Sequence, residues 1–344
     1  MDGVEALAEI AFWMERGRQD TRRIEAYRKA AWALAALPPG EVDRRVADRT
    51  LTEVPSVGPS TSAVVLEAVT GVVPKKLADL RQQGALPLAT GGEGIRAALR
   101  GDLHSHSNWS DGGSPISEMV KVARMIGHEY LALTDHSPRL TVANGLTAER
   151  LADQLEVVEE INAAVRRDDG PDFTLLPAIE VDILESGALD QSDKMLRRLQ
   201  VVTASVHSKL RSDSDTMTHR MVGAIANPLT NVLGHCTGRL VEGSRGTRPE
   251  SQFDAEVVFA ACARFDVAVE MNSRPERRDP PSRLVELAVE MGCLFAIDTD
   301  AHAPGQLTFQ EYGCARAEAC GVPVERIVNT WPLPRLLEWT HHKR

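Results

Sequence analysis

The sequence has few cysteines and no pair of them at metal-binding spacing. Its five cysteines are scattered along 344 residues without a CxxC motif. Disulfide frameworks and cysteine-based zinc sites both depend on cysteines at recognisable spacings. The distribution excludes both and predicts free thiols in a reducing compartment.

Long apolar runs and a secretory leader are also missing. No segment approaches the roughly 20 apolar residues that a membrane helix needs. The N-terminus has no basic stretch followed by an apolar core and a cleavage site. We therefore expect a cytoplasmic protein with no membrane partner.

An excess of basic residues is absent as well. The formal net charge is −10, opposite in sign to that of a general nucleic-acid binder. Residues 1–90 carry 12 basic and 12 acidic side chains, so the acidic excess lies in residues 91–344. An acidic domain that binds several divalent cations would lose much of this excess on loading.

The hydrophobic pattern divides the chain into a helical part and a mixed part. Apolar residues recur at helical spacing over 4–14 and 27–37, and Pro38-Pro39-Gly40 ends the second run. A glycine-rich stretch over 89–94 has the composition of a linker. We predict one domain over 1–90 and another over 95–344.

The helical part contains a tight glycine turn in the stretch VPSVGPSTSAV, which begins at Val54. Around Val57, Gly58 and Ser60 such a turn would expose backbone N–H groups at a helix N-terminus, where a DNA phosphate can bind. The alternative is a plain helix corner that binds nothing. A cluster of basic residues forms either a DNA-binding face or a solvated one: Arg16, Arg18, Arg22, Arg23, Arg28 and Lys29.

Short apolar runs and amphipathic segments alternate from residue 95 onward. The apolar runs lie at 102–104, 130–134, 173–179, 201–206, 231–234, 267–271 and 294–297. The segments between them, such as 116–126, 148–165, 255–263 and 282–291, have a helical pattern. This alternation predicts an α/β barrel of seven parallel strands, resembling a TIM barrel, with a small all-α domain before it.

Polar side chains follow the carboxyl end of each predicted strand. In chain order they are His104 and His106, then Asp135 and His136, Glu180, His207, His235, Asn272, and finally Asp300 and His302. These ends open onto one face of a parallel barrel, where active sites are built. Any single histidine could be structural, but six of the ten histidines, together with Asp111, Glu180 and Asp300, predict a metal centre.

Nine candidate ligands are too many for one ion, which takes about four to six. A glutamate can bridge two ions, so we expect two or three divalent ions, with Mn, Zn and Fe all compatible with imidazole-rich ligands. Such clusters suit phosphoester hydrolysis, because one ion activates water while others neutralise phosphoryl oxygens. The competing class, the amidohydrolases, usually has fewer ligands and a bridging lysine, and no lysine follows a predicted strand before His207.

The ordered motifs resemble those of the PHP (polymerase and histidinol phosphatase) family. They are DLHSHS from Asp102, then Asp111, TDH ending at His136, IEVD around Glu180, SVHS around His207, GH ending at His235, and TDAH from Thr299. The resemblance implies a distorted seven-stranded barrel with a trinuclear centre. It implies one ion held by His104, His106, Glu180 and Asp300, a second by Glu180, His207 and His235, and a third by Asp111, His136 and His302.

Other motifs are similar to bacterial family X DNA polymerases. GHCTGRL from Gly234, EMN from Glu270 and EVDIL from Glu180 resemble their C-terminal PHP domain. RRIEAYRKAAW from Arg22 and the segment 51–71 resemble their N-terminal helix-hairpin-helix domain, like that of polymerase beta. The polymerase core between these domains is missing. The resemblance implies a DNA-backbone reader joined to a phosphoesterase, and it makes a separate DNA polymerase a candidate partner.

Three positions depart from this pattern. Val64 stands where related domains carry a Schiff-base lysine, so abasic-site lyase activity is not implied. Ser60 replaces a common basic residue, which weakens the expected grip on phosphate. Cys236 stands where proline is common, and it is either a neutral packing change or an oxidation-sensitive neighbour of the metals.

The remaining assignments concern chemistry at the centre. We predict catalytic roles for Asp135 and Asn272, with the orientation of a ligand as the alternative for Asn272. Arg239, Arg277 and Lys209 are candidate phosphate-binding residues, although surface ion pairs would also explain the arginines.

The predicted function is a metal-dependent phosphoesterase that acts on DNA 3′ ends, as a 3′–5′ exonuclease or 3′-phosphatase. The first alternative is a small-molecule phosphatase of the histidinol-phosphate type, in which the N-terminal domain serves packing alone. The second alternative is a non-catalytic DNA-binding module with a vestigial barrel.

Overall fold

The structure, a computed structural model, describes residues 1–168, 170–243 and 246–342. It divides into two compact units, one spanning Met1–Pro87 and the other beginning at Leu88. None of the helices in the described residues is both long enough and apolar enough to cross a membrane.

The first unit is helical. Its helices are α1 (Gly3–Arg16), α2 (Thr21–Ala35), α3 (Glu41–Asp48), α4 (Pro59–Val69) and α5 (Lys75–Gly84), with a 3-10 turn at Leu51–Glu53. Aspartate side chains start the first two helices, because Asp2 accepts from Val4 N–H and Asp20 from Arg23 N–H. Apolar residues of α1, α2, α4 and α5 form one buried core.

Two members of the predicted basic face lie inside this unit. Arg16 is buried, and its Nε donates to the carbonyl of Gly84. Arg28 is buried and pairs with Glu15. The exposed basic face is therefore smaller than the sequence predicts. Long basic side chains can pack inward when the protein provides a hydrogen-bond acceptor or a carboxylate for the charged group.

The second unit contains a sheet of seven parallel strands in sequential order. The strands are β1 (Gly101–Ser105), β2 (Tyr130–Leu133), β3 (Thr174–Asp182), β4 (Val201–Ser205), β5 (Val232–Leu233), β6 (Ala268–Asn272) and β7 (Phe295–Asp298). A parallel bridge between Ser105 and Ala301 joins the two ends of the sheet. The sheet is thus a nearly closed barrel, and the predicted fold class is confirmed.

Helices surround this barrel. They are α6 (Glu93–Ala98), α7 (Ile116–Met125), α8 (Ala148–Val165), α9 (Asp193–Leu196), α10 (Ser214–Ile225), α11 (Ala255–Arg264), α12 (Ser282–Glu290), α13 (Gln310–Ala319) and α14 (Leu333–His341). Short 3-10 segments lie at Thr141–Ala143, Pro304–Phe309, Val324–Arg326 and Val328–Thr330. Most strand residues are buried, as expected where helices cover a parallel sheet.

The predicted linker belongs to the second unit. Leu88 N–H donates to Glu311 Oε2 at 2.7 Å, and Gly92 N–H donates to Glu318 Oε2 at 2.9 Å. A Cβ on Gly92 would lie 2.4 Å from the backbone of Cys314. Glycine is needed at position 92 because the backbone there passes close to α13. Gly92 therefore allows close packing, whereas the composition predicts a linker.

The buried His128, which lies two residues before β2, makes stability depend on pH. Burial, aided by Arg96, lowers the pKa of His128 to about 3, whereas an unfolded histidine has a pKa of about 6.5. Its contribution to the free energy of unfolding is complete above pH 6.5 and is lost as the pH falls toward 3.

We expect His128→Gln to remove this dependence, because glutamine does not titrate in this pH range. Its amide can still donate to Gln310 Oε1, so the contact is kept. From pH 6.5 to 4.5 the free energy of unfolding of the metal-free wild type should fall by about 2 to 3 kcal/mol more than that of the variant. Urea denaturation at each pH measures this difference. An equal decrease in the free energy of unfolding of the two proteins over this pH range would contradict the expectation.

Candidate metal centre

The carboxyl ends of the strands bring the nine predicted metal ligands together. His104 lies on β1 and Glu180 on β3, while the other ligands lie within six residues after the ends of β1, β2, β4, β5 and β7. Most of these side chains are nearly inaccessible, and the most exposed is that of Asp111, at 36%. Polar residues of this kind are rarely buried unless they share partners or a metal.

Glu180 lies at the middle of the cluster and approaches five histidines. Its Oε1 is 2.8 Å from His235 Nε2 and 3.2 Å from His207 Nε2. Its Oε2 is 2.9 Å from His136 Nδ1, 3.3 Å from His104 Nε2 and 3.5 Å from His106 Nε2. The two oxygens therefore face two different sets of imidazoles, as a bridging carboxylate would.

Three groups of side chains place their ligand atoms within 4.8 Å of one another. They are His104, His106 and Asp300; His136, Glu180 and His207; and His106, Asp111, His136 and His302. The grouping differs from the implied one, since His136 joins the group of Glu180 and His207 in addition to that of Asp111. The order of the strands does not give the distances between side chains, and these distances determine which ligands group together.

Buried atoms without partners indicate that the cluster fits metal ions. Among the described residues, these ligand atoms are buried and have no hydrogen-bond partner: His104 Nε2, both ring nitrogens of His106, His136 Nδ1, Glu180 Oε2, His207 Nε2 and His235 Nδ1. Leaving such groups unpaired costs roughly 1 to 3 kcal/mol each. Divalent ions coordinated by imidazole and carboxylate would satisfy them.

The electrostatics of the cluster favour ionised carboxylates. Burial acts to raise the pKa of Glu180, but the charges of His104, His207 and His136 outweigh it and hold that pKa well below its usual value. Burial likewise opposes ionisation of Asp300, and Arg274 and Arg277 outweigh it. Both carboxylates are therefore ready to bind cations at neutral pH.

His106 is held in its neutral form. Burial, together with the neighbouring His302 and His136, lowers its pKa to about 3. Only a neutral imidazole has a free lone pair, so this state suits a metal ligand.

Hydrogen bonds to neighbouring protein groups engage the side chains of Asp135 and Asn272, the two residues with predicted catalytic roles. Asp135 accepts hydrogen bonds from Ser107, Ser110 and Gln154 and so fixes the loop that carries Asp111. Asn272 Nδ2 donates to Glu270 Oε2 and to Asp300 Oδ2. Both side chains are fully buried and committed to neighbouring protein groups.

The three candidate phosphate-binding residues differ in their contacts and exposure. Arg239 donates to the carbonyls of Arg277 and Arg278 and to Glu250, so it supports the loop after β6 instead of facing a substrate. Arg277 Nε donates to Asp300 Oδ2 at 3.0 Å, while its Nη1 is buried and has no partner within the described part of the chain. Lys209 is exposed two residues after His207.

Arg274 and Asp182 lie beside the ligands and were not predicted as site residues. Arg274 Nη1 lies 3.0 Å from His302 Nδ1 and 3.7 Å from Asp300 Oδ1. Asp182 Oδ1 accepts from the backbone N–H of His207 and lies 3.3 Å from its Nδ1. For Asp182 the available signal was its position two residues after Glu180, because alternate residues of a strand such as β3 share a face. Arg274 lies beyond the end of β6, so no such spacing indicates it.

The glycine turn of the first unit forms the start of α4. Gly58 precedes the helix, and its N–H donates to Thr61 Oγ1 at 3.0 Å, so one of the turn's amides has a side-chain partner. Val57 is buried and Ser60 is exposed. A cleft of about 620 Å³ runs beside the turn and is lined in part by Arg23, Tyr27 and Ser60.

Comparison with known proteins identifies both parts of the chain. A helix-hairpin-helix domain model matches residues 2–71, and a PHP domain model matches residues 102–273, half of the chain. The PHP match contains seven of the nine proposed ligands; Asp300 and His302 follow it.

Relatives with curated descriptions include polymerases and phosphatases. The DNA polymerase/3′-5′ exonuclease PolX of Bacillus subtilis is 34% identical over 231 residues, which cover 67% of this chain but 39% of that protein. A probable phosphatase of Thermoanaerobacter sp. is 26% identical over 244 residues, covering 67% of this chain and 89% of that protein.

A solved structure with a similar chain is the histidinol phosphate phosphatase of Lactococcus lactis in complex with zinc, L-histidinol and phosphate. Its TM-score is 0.49 at 16% identity, and the match covers 65% of this chain and 94% of that one. The assignment rests on the family models and on the share of the chain that they match. The chain belongs to the PHP family and has a helix-hairpin-helix domain at its N-terminus.

Proposed function

We propose that this protein is a metal-dependent phosphoesterase, a hydrolase of phosphoric esters. The observation that carries the proposal is the cluster of buried, unpartnered imidazole nitrogens around Glu180. Two or three divalent ions, taken from Mn, Zn and Fe, would satisfy it. When bound, such ions activate water and neutralise phosphoryl oxygens.

The chain's own residues divide the remaining work. Glu180 holds two sets of imidazoles, and Asp300 adds a carboxylate that Arg274 and Arg277 keep ionised. Arg277 carries the buried, unpartnered Nη1 and is the residue that we assign to the phosphoryl group. Asp111 lies on the more exposed side of the cluster, where it would share an ion with His136 and His302.

The substrate that we propose is a DNA 3′ end, processed by a 3′–5′ exonuclease or 3′-phosphatase reaction. Support comes from the helix-hairpin-helix domain in the same chain and from the 34% identity to a protein described as a polymerase and 3′-5′ exonuclease. A separate DNA polymerase would then be a natural partner, since it could extend the end that this protein prepares.

A second candidate is hydrolysis of a small phosphomonoester such as histidinol phosphate. The observation that favours it is the match to probable phosphatases over 89% of their length. In that case the first unit would contribute nothing to turnover.

A substitution in the glycine turn distinguishes the two candidates. Ser60 is exposed at the start of α4, so Ser60→Asp would place a carboxylate where a DNA phosphate is expected. We expect DNA affinity to fall about tenfold, because one repelled phosphate contact costs roughly 1 to 2 kcal/mol. Hydrolysis of histidinol phosphate should not change.

Gln82→Glu is the matched control, because it adds the same charge at an exposed position on α5. Fluorescence anisotropy with labelled single-stranded DNA at several salt concentrations gives the affinities. DNA binding that Ser60→Asp leaves unchanged, combined with turnover of the small ester, would favour the second candidate.

A further inference from the structure

Glu270 contacts two of the proposed metal ligands at once. It lies on β6, and its side chain is completely buried. Its Oε1 is 2.5 Å from His104 Nδ1, and its Oε2 accepts from the backbone N–H of His235 at 2.5 Å. One carboxylate therefore connects a ligand on β1 with a ligand that follows β5.

The contact with Glu270 fixes which ring nitrogen of His104 can bind a metal. Carboxylate oxygens accept hydrogen bonds, as Oε2 of Glu270 does from the His235 N–H, so the contact with Oε1 places the proton on His104 Nδ1. His104 Nε2 is buried, has no hydrogen-bond partner among the described residues and lies 3.3 Å from Glu180 Oε2. Its lone pair thus faces the other ligands.

We propose that Glu270 is a positioning residue of the metal centre. It holds the Nδ1–H tautomer of His104, aims Nε2 at the ion shared with His106 and Asp300, and fixes the backbone of His235. Partners of this kind orient metal-ligating histidines in many proteins, and their loss typically weakens metal binding by 10- to 100-fold. The inference rests on the metal centre of the proposed function.

Asp182 provides a matched comparison within the same cluster. It is also buried and also contacts a proposed ligand, but a single oxygen, Oδ1, meets both the backbone N–H and the ring Nδ1 of His207. An amide at position 182 can therefore keep both contacts through its one carbonyl oxygen. An amide at position 270 cannot, because both oxygens of Glu270 meet donors: Oε1 meets His104 Nδ1, and Oε2 meets the His235 N–H and Asn272 Nδ2. The NH₂ group of a glutamine must therefore face at least one donor.

The test measures manganese affinity and stoichiometry of the full chain by electron paramagnetic resonance titration. We expect Glu270→Gln to bind one ion 10- to 100-fold more weakly than the wild type, and Asp182→Asn to bind within about threefold of it. Unchanged affinity in Glu270→Gln, or equal losses in the two variants, would overturn the proposal. A wild type that binds no divalent ion would instead overturn the metal centre itself, and the proposal with it.

A second measurement needs no variant and so does not depend on its folding. Nitrogen-15 NMR of the zinc-loaded wild type reports which ring nitrogen of His104 binds the metal and which carries a proton. We expect coordination through Nε2 and a hydrogen-bonded Nδ1–H. Coordination through Nδ1 would overturn the proposal.

Discussion

Glu180→Gln should lower kcat/KM for phosphoester hydrolysis by about 1,000-fold or more. The substitution removes a negative charge that approaches five histidines and leaves one acceptor oxygen where two sets of imidazoles need one each. Metal ions in such sites supply several kcal/mol of transition-state stabilisation, and roughly 4 kcal/mol corresponds to three powers of ten in rate. Bound metal per chain should fall in parallel.

Glu185→Gln is the control for this prediction, since it makes the same chemical change at an exposed position five residues further along. Metal content by inductively coupled plasma spectrometry and initial rates on an activated phosphodiester are the two readouts. If Glu180→Gln retained wild-type metal content and rate, Glu180 could not be a shared ligand.

Arg277→Gln should lower kcat/KM by about 100- to 1,000-fold. Removing one preorganised donor to a developing negative charge typically has an effect of this size. The metal content should stay close to that of the wild type, because Arg274 still lies beside Asp300 and favours its ionised form. The Arg277 side chain is 17% exposed, and its Nη1 has no partner among the described residues, so a phosphoryl oxygen would complete its hydrogen bonding.

Two further variants sharpen this test. Arg277→Lys keeps the charge but loses the planar fork, so we expect it to recover part of the rate. Arg283→Gln changes an exposed arginine that pairs with Glu250, and it should have no effect. Equal losses in Arg277→Gln and Arg283→Gln would point to a general effect of charge and against a specific contact with substrate.

The sequence predicts the barrel and the gathering of the metal ligands because both follow from simple periodicities. Apolar runs of strand length alternate with helical segments, and polar residues after parallel strands meet at one edge. His104, Glu180 and Asp300 were predictable for that reason. The composition of the glycine-rich stretch at 89–94 predicts a linker, because composition alone does not reveal the close approach of Gly92 to the backbone of Cys314.

The directions of side chains were harder to predict than their positions. Asp135 and His136 are neighbours in sequence, yet His136 approaches Glu180 while Asp135 holds the loop of Ser107 and Ser110. Arg239 follows a strand end as closely as a substrate-binding residue would, but backbone carbonyls occupy its guanidinium. Such choices depend on which acceptors the tertiary structure brings near, and periodicity carries no information about them.

Exposure of 5′-labelled single-stranded and gapped DNA to the manganese-loaded protein tests the proposed function most directly, with Glu180→Gln as the inactive control. We predict stepwise shortening or dephosphorylation at the 3′ end that requires metal and disappears in the variant. A manganese-loaded protein that leaves the DNA and histidinol phosphate unchanged, or one whose activity survives Glu180→Gln, would contradict the account of this cluster as a phosphoesterase centre.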